Sequence, residues 1–165
     1  MSIDYISSQK FKGIVVDTNL LILLLIGLYD LDEIEKNKRL KNNSFEKEDF
    51  HKLVSLIDAV SNEITITPNI LTEVCNLTEN YNNETEYAFF KFIEEFVKTL
   101  EERNANSNEI IHNNQTAFYK FGLSDSSITN LSKEEYLIIT VDLPLYHFLI
   151  SQNLPAINYT DFRLI

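Results

Sequence analysis

The stretch Gly13-Ile14-Val15-Val16-Asp17-Thr18-Asn19-Leu20-Leu21-Ile22-Leu23-Leu24-Leu25-Ile26 changes character at Asp17. Before it, a short, β-branched and wholly apolar run reads as a strand buried on both faces. After it, Thr18-Asn19 offers a turn and a helix cap, and residues 20–29 continue as a helix apolar on most sides. A buried strand feeding a buried helix is the opening of an α/β unit, with an acid at the junction.

The same pattern recurs outward from there. Ile64-Thr65-Ile66-Thr67 reads as a second strand. Thr67 caps the helix that follows and Pro68 takes its first position, where the missing N–H costs nothing. Residues 137–141 form a third apolar run, closed by Asp142, before a helix over 143–153 and a last strand over 156–159. The segments between predict helices and loops. Residues 30–43, charged and Asn-rich, read as an exposed loop or frayed helix end, after which Ser44 caps a helix carrying Phe50, Leu53, Val54, Ile57 and Val60 at helical spacing. Residues 80–83 break the pattern, and 84–104 predict one long amphipathic helix with Phe89, Ile93, Phe96, Val97 and Leu100 on one face. Residues 105–114 are polar and give no clear element. Residues 115–121 predict a helix stopped by Gly122, and Ser124 caps the next one, with Leu123 and Ile128 placed as a hydrophobic staple. The residues before Lys12 read as a loose lead-in. Strands alternating with helices predict a parallel sheet covered on both faces, in a single domain without internal repeats.

Composition narrows the class further. At 165 residues with 44% hydrophobic and 12% aromatic content, the chain has the material for one ordered core. Cys75 is the single cysteine, which excludes an internal disulfide framework and fits a reducing cytoplasm. No signal peptide is evident, and the apolar run Leu20 to Ile26 is far short of the ~20 residues that span a bilayer. A net charge of −11 argues against nonspecific nucleic-acid binding by a basic surface. Even so, Lys36, Lys38, Arg39, Lys41, Lys47 and Lys52 cluster in one segment. They stand as candidate contacts to a polyanion or as an ordinary solvated face, and charge reversal there tests the first reading through salt-dependent binding.

Four acids occupy related topological places. Asp17 and Asp142 close apolar strands, and sites in open α/β sheets form beyond the carboxyl ends of the strands. Glu73 shares the spacing of Ile70, Val74 and Leu77, a face meant for the core, where a lone charge is costly. Asp125 stands in the first turn of its helix, at the positive dipole end that favours the ionised form. Two carboxylates about 5 Å apart repel by about 3 kcal/mol at an effective dielectric of about 20. If the four meet, cations or protonation must relieve that repulsion. Hard oxygen donors without a His/Cys cluster point to Mg²⁺ or Mn²⁺ rather than zinc. Each acid also has an ordinary reading: Asp17 as a turn former, Asp142 as a helix starter, Asp125 as a dipole-matched residue, Glu73 as a lysine partner. His51, His112 and His147 show no ligand spacing, Ser124-Asp125-Ser126-Ser127 lacks the glycines of a nucleophile elbow, and three glycines cannot supply a phosphate loop.

In their order along the chain, Val15-Val16-Asp17-Thr18-Asn19, Thr67-Pro68-Asn69-Ile70-Leu71-Thr72-Glu73-Val74, Gly122-Leu123-Ser124-Asp125-Ser126-Ser127-Ile128 and Ile139-Thr140-Val141-Asp142 resemble the motifs of the PIN-domain family. Pro155-Ala156-Ile157-Asn158-Tyr159 is similar to that family's last strand, so the resemblance covers about residues 13–162. Ser126-Ser127 stands where small alanines are common, and Asn153 where a glycine often precedes the last strand. The resemblance implies a three-layer α/β/α sandwich with a central, mainly parallel sheet. It also implies a Mg²⁺- or Mn²⁺-dependent ribonuclease acting on single-stranded RNA and leaving a 5′-phosphate and a 3′-hydroxyl. Asp17, Glu73, Asp125 and Asp142 would be the catalytic, metal-binding acids, with Thr18, Asn19 and Thr140 in supporting hydrogen bonds. Many bacterial members are toxins held by an antitoxin protein, so an antitoxin partner is implied as well; the oligomeric state, a homodimer included, stays open.

Two rival readings stand beside this one. A haloacid-dehalogenase-like phosphatase would use Asp17 as nucleophile, but it wants a second aspartate two residues on, where this chain has Asn19. A non-catalytic PIN-like scaffold that binds RNA or protein is the other.

Overall fold

The computed structural model describes residues 10–60 and 63–164, so most of the predicted lead-in, residues 1–9, lies outside the described residues. The strands are β1 (Ile14–Val16), β2 (Thr65–Ile66), β3 (Glu101–Glu102), β4 (Leu137–Thr140) and β5 (Ala156–Asn158). The helices are α1 (Thr18–Tyr29), α2 (Lys38–Asn42), α3 (Lys47–Val60), α4 (Pro68–Glu84), α5 (Ala88–Val97), α6 (Ser107–Asn113), α7 (Gln115–Lys133), α8 (Leu143–Ser151) and α9 (Tyr159–Arg163). Among the described residues, no helix is long and apolar enough to cross a membrane.

Every strand pairing is parallel. β1 pairs with β4 and β4 with β5, Ile14 lying opposite Leu137 and Ile138 opposite Ala156. On its other edge β1 meets Ile64, just before β2, through a bridge at Ile14, and β2 pairs with β3. The lateral order is therefore β3-β2-β1-β4-β5. The chain steps outward one way from β1 and then crosses back to build the other half, which makes the β1/β4 boundary a topological switch point.

Ile14, Val15 and Val16 are buried, as are Leu137, Ile138 and Ile139. Neighbouring strand residues point to opposite faces, so helices cover the sheet on both sides in an α/β/α arrangement. α1 is buried nearly all round, from Leu20 to Gly27. Each leucine and isoleucine from Leu20 to Ile26 contributes about 1.5–3 kcal/mol on burial, which fixes the helix start and with it the Asp17 junction. Gly27 lets α3 approach, because a Cβ there would run into the Phe50 ring.

Several boundaries differ from expectation. Residues 30–43 are not a plain exposed loop: Ile34 and Leu40 are buried, and α2 is capped by the Asn37 side chain. Ser44 does not cap α3. With φ 55° it ends α2, while the Phe45 N–H bonds Leu40 O at 3.0 Å and the Ser44 N–H bonds Lys41 O at 2.9 Å, a Schellman closure. α3 starts with Asp49 reaching back to the Glu46 N–H at 2.8 Å. The predicted break at 80–83 is helical because Tyr81 and Asn82 are buried and hold α4 in place. The predicted helix over 84–104 is instead α5 followed by β3. Left-handed Glu86 and Tyr87 turn the chain into α5, and the Glu101 and Arg103 N–H groups bond the carbonyls of Ile64 and Ile66. Residues 107–113 form α6, capped by Asn106.

Candidate active site

Asp17 ends β1 and caps α1. Its Oδ1 accepts the Leu20 N–H at 2.8 Å, and its Oδ2 accepts the Thr140 hydroxyl at 2.5 Å and the Val141 N–H at 2.7 Å. Thr140 lies at the end of β4, so these last two bonds tie the strand ends together across the switch point. Burial pushes the Asp17 carboxyl above its ordinary value; the hydrogen bonds from Thr140, Leu20 and Val141 pull against that, and the Asp142 charge adds to the rise. The Thr140 oxygen in turn accepts the Asp142 N–H at 2.9 Å, and Asp142 Oδ1 caps α8 through the Leu145 N–H at 2.8 Å. The ordinary capping roles of Asp17 and Asp142 therefore coexist with their place at the site.

Glu73 and Asp125 come from the helices. α4 and α7 are linked by the Thr67 and Ser127 hydroxyls, 3.1 Å apart. Glu73 finds hydroxyls rather than a lysine: its Oε2 accepts Thr18 at 2.8 Å and Ser124 at 2.9 Å. Gly122, with φ 85° and ψ −169°, breaks α7, and Leu123 onward is helical again. Ser124 thus lies inside the restarted first turn, and its hydroxyl serves Glu73 instead of capping the helix. Among the described residues, none donates a hydrogen bond to the Asp125 carboxyl. Burial, followed by the charges of Asp142, Glu73 and Asp17, pushes it up to about 7. The helix dipole, expected to keep it ionised, loses to burial and to those three neighbours.

Of the supporting residues, Thr18 and Thr140 bond Glu73 and Asp17, whereas Asn19 Oδ1 accepts Arg39 Nη2 at 3.0 Å and touches no carboxylate. The basic segment is not one open surface. Lys36 pairs with Glu33 at 2.8 Å, Lys47 with Asp32 at 2.6 Å and Lys52 with Glu48 at 3.4 Å. Lys38 and Lys41 are exposed. His51, His112 and His147 are exposed too, each on a different helix. Sequence reasoning missed the Ser124 bond to Glu73 and the backbone donors on Asp17. The only advance sign of the first was a second hydroxyl residue beside Asp125.

The donor set is all carboxylate, as a hard divalent cation prefers. A carboxylate offers about four lone-pair sites. Asp17 has three engaged, Glu73 two on one oxygen, and Asp142 one, while Asp125 keeps all of its own. In donor type and spare capacity the residues fit such an ion. As the side chains stand, no group of three or more His, Cys, Asp or Glu among the described residues is arranged to hold one. Asp17 and Asp142 are turned to their helix caps, which leaves Asp142 Oδ2, Glu73 Oε1 and both carboxylate oxygens of Asp125 to offer.

An α/β protein with an acidic cluster at its sheet's switch point is the class that fold and site define together. No family model, curated protein or solved structure matches the chain.

Proposed function

We propose that the chain is a Mg²⁺- or Mn²⁺-dependent ribonuclease that hydrolyses phosphodiester bonds of single-stranded RNA. One observation carries the reading: acids from the ends of β1 and β4 and from α4 and α7 share one rim, where Thr140 links Asp17 to Asp142 and, after burial, the charges of Asp142, Glu73 and Asp17 all act on Asp125. The resemblance of the same residues to the PIN-domain motifs supports it. A divalent ion bound there supplies Lewis-acid activation of water and offsets charge on the phosphate. Asp125, Asp142 and Glu73 would hold it through their uncommitted oxygens, with Asp17 fixed behind them by Thr140 and the backbone. Thr18 and Ser124 orient Glu73 by occupying one of its oxygens. Because Asp125 is about half protonated near pH 7, binding a cation there releases a proton.

The test is cleavage of a labelled single-stranded RNA in Mn²⁺ and in EDTA, with Asp125→Asn beside the native chain. Cutting that needs the metal and is lost in the variant supports the reading; equal cutting by the variant overturns it. The lack of a ready three-ligand group favours a second reading, a PIN-like scaffold that binds RNA or protein without cutting. No cleavage together with no divalent binding would select that one. A toxin role suits a chain of net charge −11, which complements a basic antitoxin. Copurification of such a small basic protein that blocks cleavage would support it.

A further inference from the structure

Of the three arginines, Arg39 has no acidic partner among the described residues. Arg103 pairs with Glu101 at 2.6 Å and Arg163 with Asp49 at 2.9 Å. Lys36, Lys47 and Lys52, from the same basic segment, are likewise taken up by Glu33, Asp32 and Glu48. Arg39 bonds instead to a residue of the segment that follows Asp17. Its Nη2 donates to Asn19 Oδ1 at 3.0 Å, and Asn19 is the second residue after Asp17, next to the Thr18 that holds Glu73.

The backbone beneath this side chain is pinned. Asn37 Oδ1 accepts the Arg39 N–H at 3.0 Å and the Leu40 N–H at 3.2 Å, Asn43 Nδ2 donates to Arg39 O at 2.9 Å, and Leu40 is buried. The guanidinium is not satisfied in return. It carries five N–H donors, and among the described residues the Nε donor is buried without a partner. A half-buried guanidinium with donors to spare matches the oxygens of an anion such as a phosphate.

We propose that Arg39 grips a backbone phosphate of RNA lying across the acidic rim, and so sets the position of the strand relative to the four carboxylates. This rests on the ribonuclease reading. It also separates Arg39 from Lys36, Lys47 and Lys52, whose charges are paired within the chain.

The test uses Asp125→Asn as a background that leaves RNA uncut. Anisotropy of a labelled single-stranded oligonucleotide is followed from about 50 to about 200 mM salt at fixed Mg²⁺. Adding Arg39→Ala is expected to weaken binding about tenfold, as for one lost charge-assisted hydrogen bond, and to lower the salt slope by about one phosphate contact. Arg39→Lys should restore the slope but not the full affinity, because it keeps the charge and loses the fork. A merely structural role would lower the melting temperature and leave the slope alone. Unchanged affinity and slope in Arg39→Ala, or no RNA binding by the background protein, would overturn the proposal. Cleavage by the native chain keeps the two readings apart. Cutting with unchanged Arg39→Ala binding removes this inference only, whereas no cutting in Mn²⁺ removes the reading beneath it.

Discussion

On the strand side of the rim, the Asp17 carboxyl accepts two backbone N–H groups and a hydroxyl; on the helix side, the Asp125 carboxyl accepts nothing from the described residues. Both carboxyls are buried enough to sit above their ordinary values, but for Asp17 the fold has built a counterweight. Its partners belong to β4, α1 and the segment after β4, so the bonds that hold it also join β1 to β4. Asp125 depends on what comes to it from outside the chain. One acid is part of the frame, and the other is the place where the frame leaves charge unanswered.

That difference can be broken at the level of chemistry first, where the effect is largest. Replacing either acid by asparagine should reduce metal-dependent RNA cleavage by about a thousandfold or more, read as kcat/KM on a labelled oligonucleotide. Retained cleavage in either variant would remove that acid from the site.

Stability separates the two acids next. The Asp125 carboxyl is near 7 folded against 3.8 in its ordinary state. The folded chain therefore holds a proton that the unfolded chain gives up above about pH 4. Stability from this group is fully present below that point and is lost as pH rises through about 7. In EDTA, denaturant melts should show the native chain about 2 kcal/mol less stable at pH 8 than at pH 5, after discounting for solvent screening. Asp125→Asn should flatten that slope and stabilise the fold at pH 8. Asp17→Asn should do the opposite, costing about 1.5 kcal/mol, because its amide N–H₂ would face one of the donors that Asp17 now satisfies. Asp125→Asn is thus the cleaner inactive variant.

The smallest effects sharpen the comparison at the hydroxyls. Thr140→Val removes a buried donor from Asp17 and interrupts the link to the Asp142 N–H, and should cost about 1 kcal/mol by thermal melting. Thr18→Val removes one of two hydroxyls on the same Glu73 oxygen, and should cost about 0.5 kcal/mol because Ser124 remains. Equal costs would mean that Glu73 is as dependent on its partners as Asp17.

What could be read in advance follows the same division. β1, β4 and β5 announce themselves as apolar runs, and Thr67-Pro68 marks the start of α4, because burial and capping leave local signatures. β3 leaves none: Glu101-Glu102 is a short outer strand held by backbone pairing and by the Thr65 hydroxyl on Glu101, partners distant in sequence, so its sequence continues the helical pattern before it. The end of α4 was hidden for a related reason. Asn82 looks like a breaker, yet it is buried and its Oδ1 accepts the Phe90 N–H at 3.1 Å, a partner eight residues away. At the site, the acids were legible from their places at strand ends and helix starts. The Ser124 bond to Glu73 and the Arg39 bond to Asn19 join residues 51 and 20 positions apart, a separation that local pattern does not encode.

The measurement that bears most directly on the central claim is calorimetric titration of Mn²⁺ into the native chain and into Asp125→Asn at pH 7.5. If the four acids act as one cation-holding unit, the native chain binds the ion with release of protons, and the variant binds it at least about tenfold more weakly without that release. Equal binding by the two proteins, or no binding by the native chain, would contradict the claim.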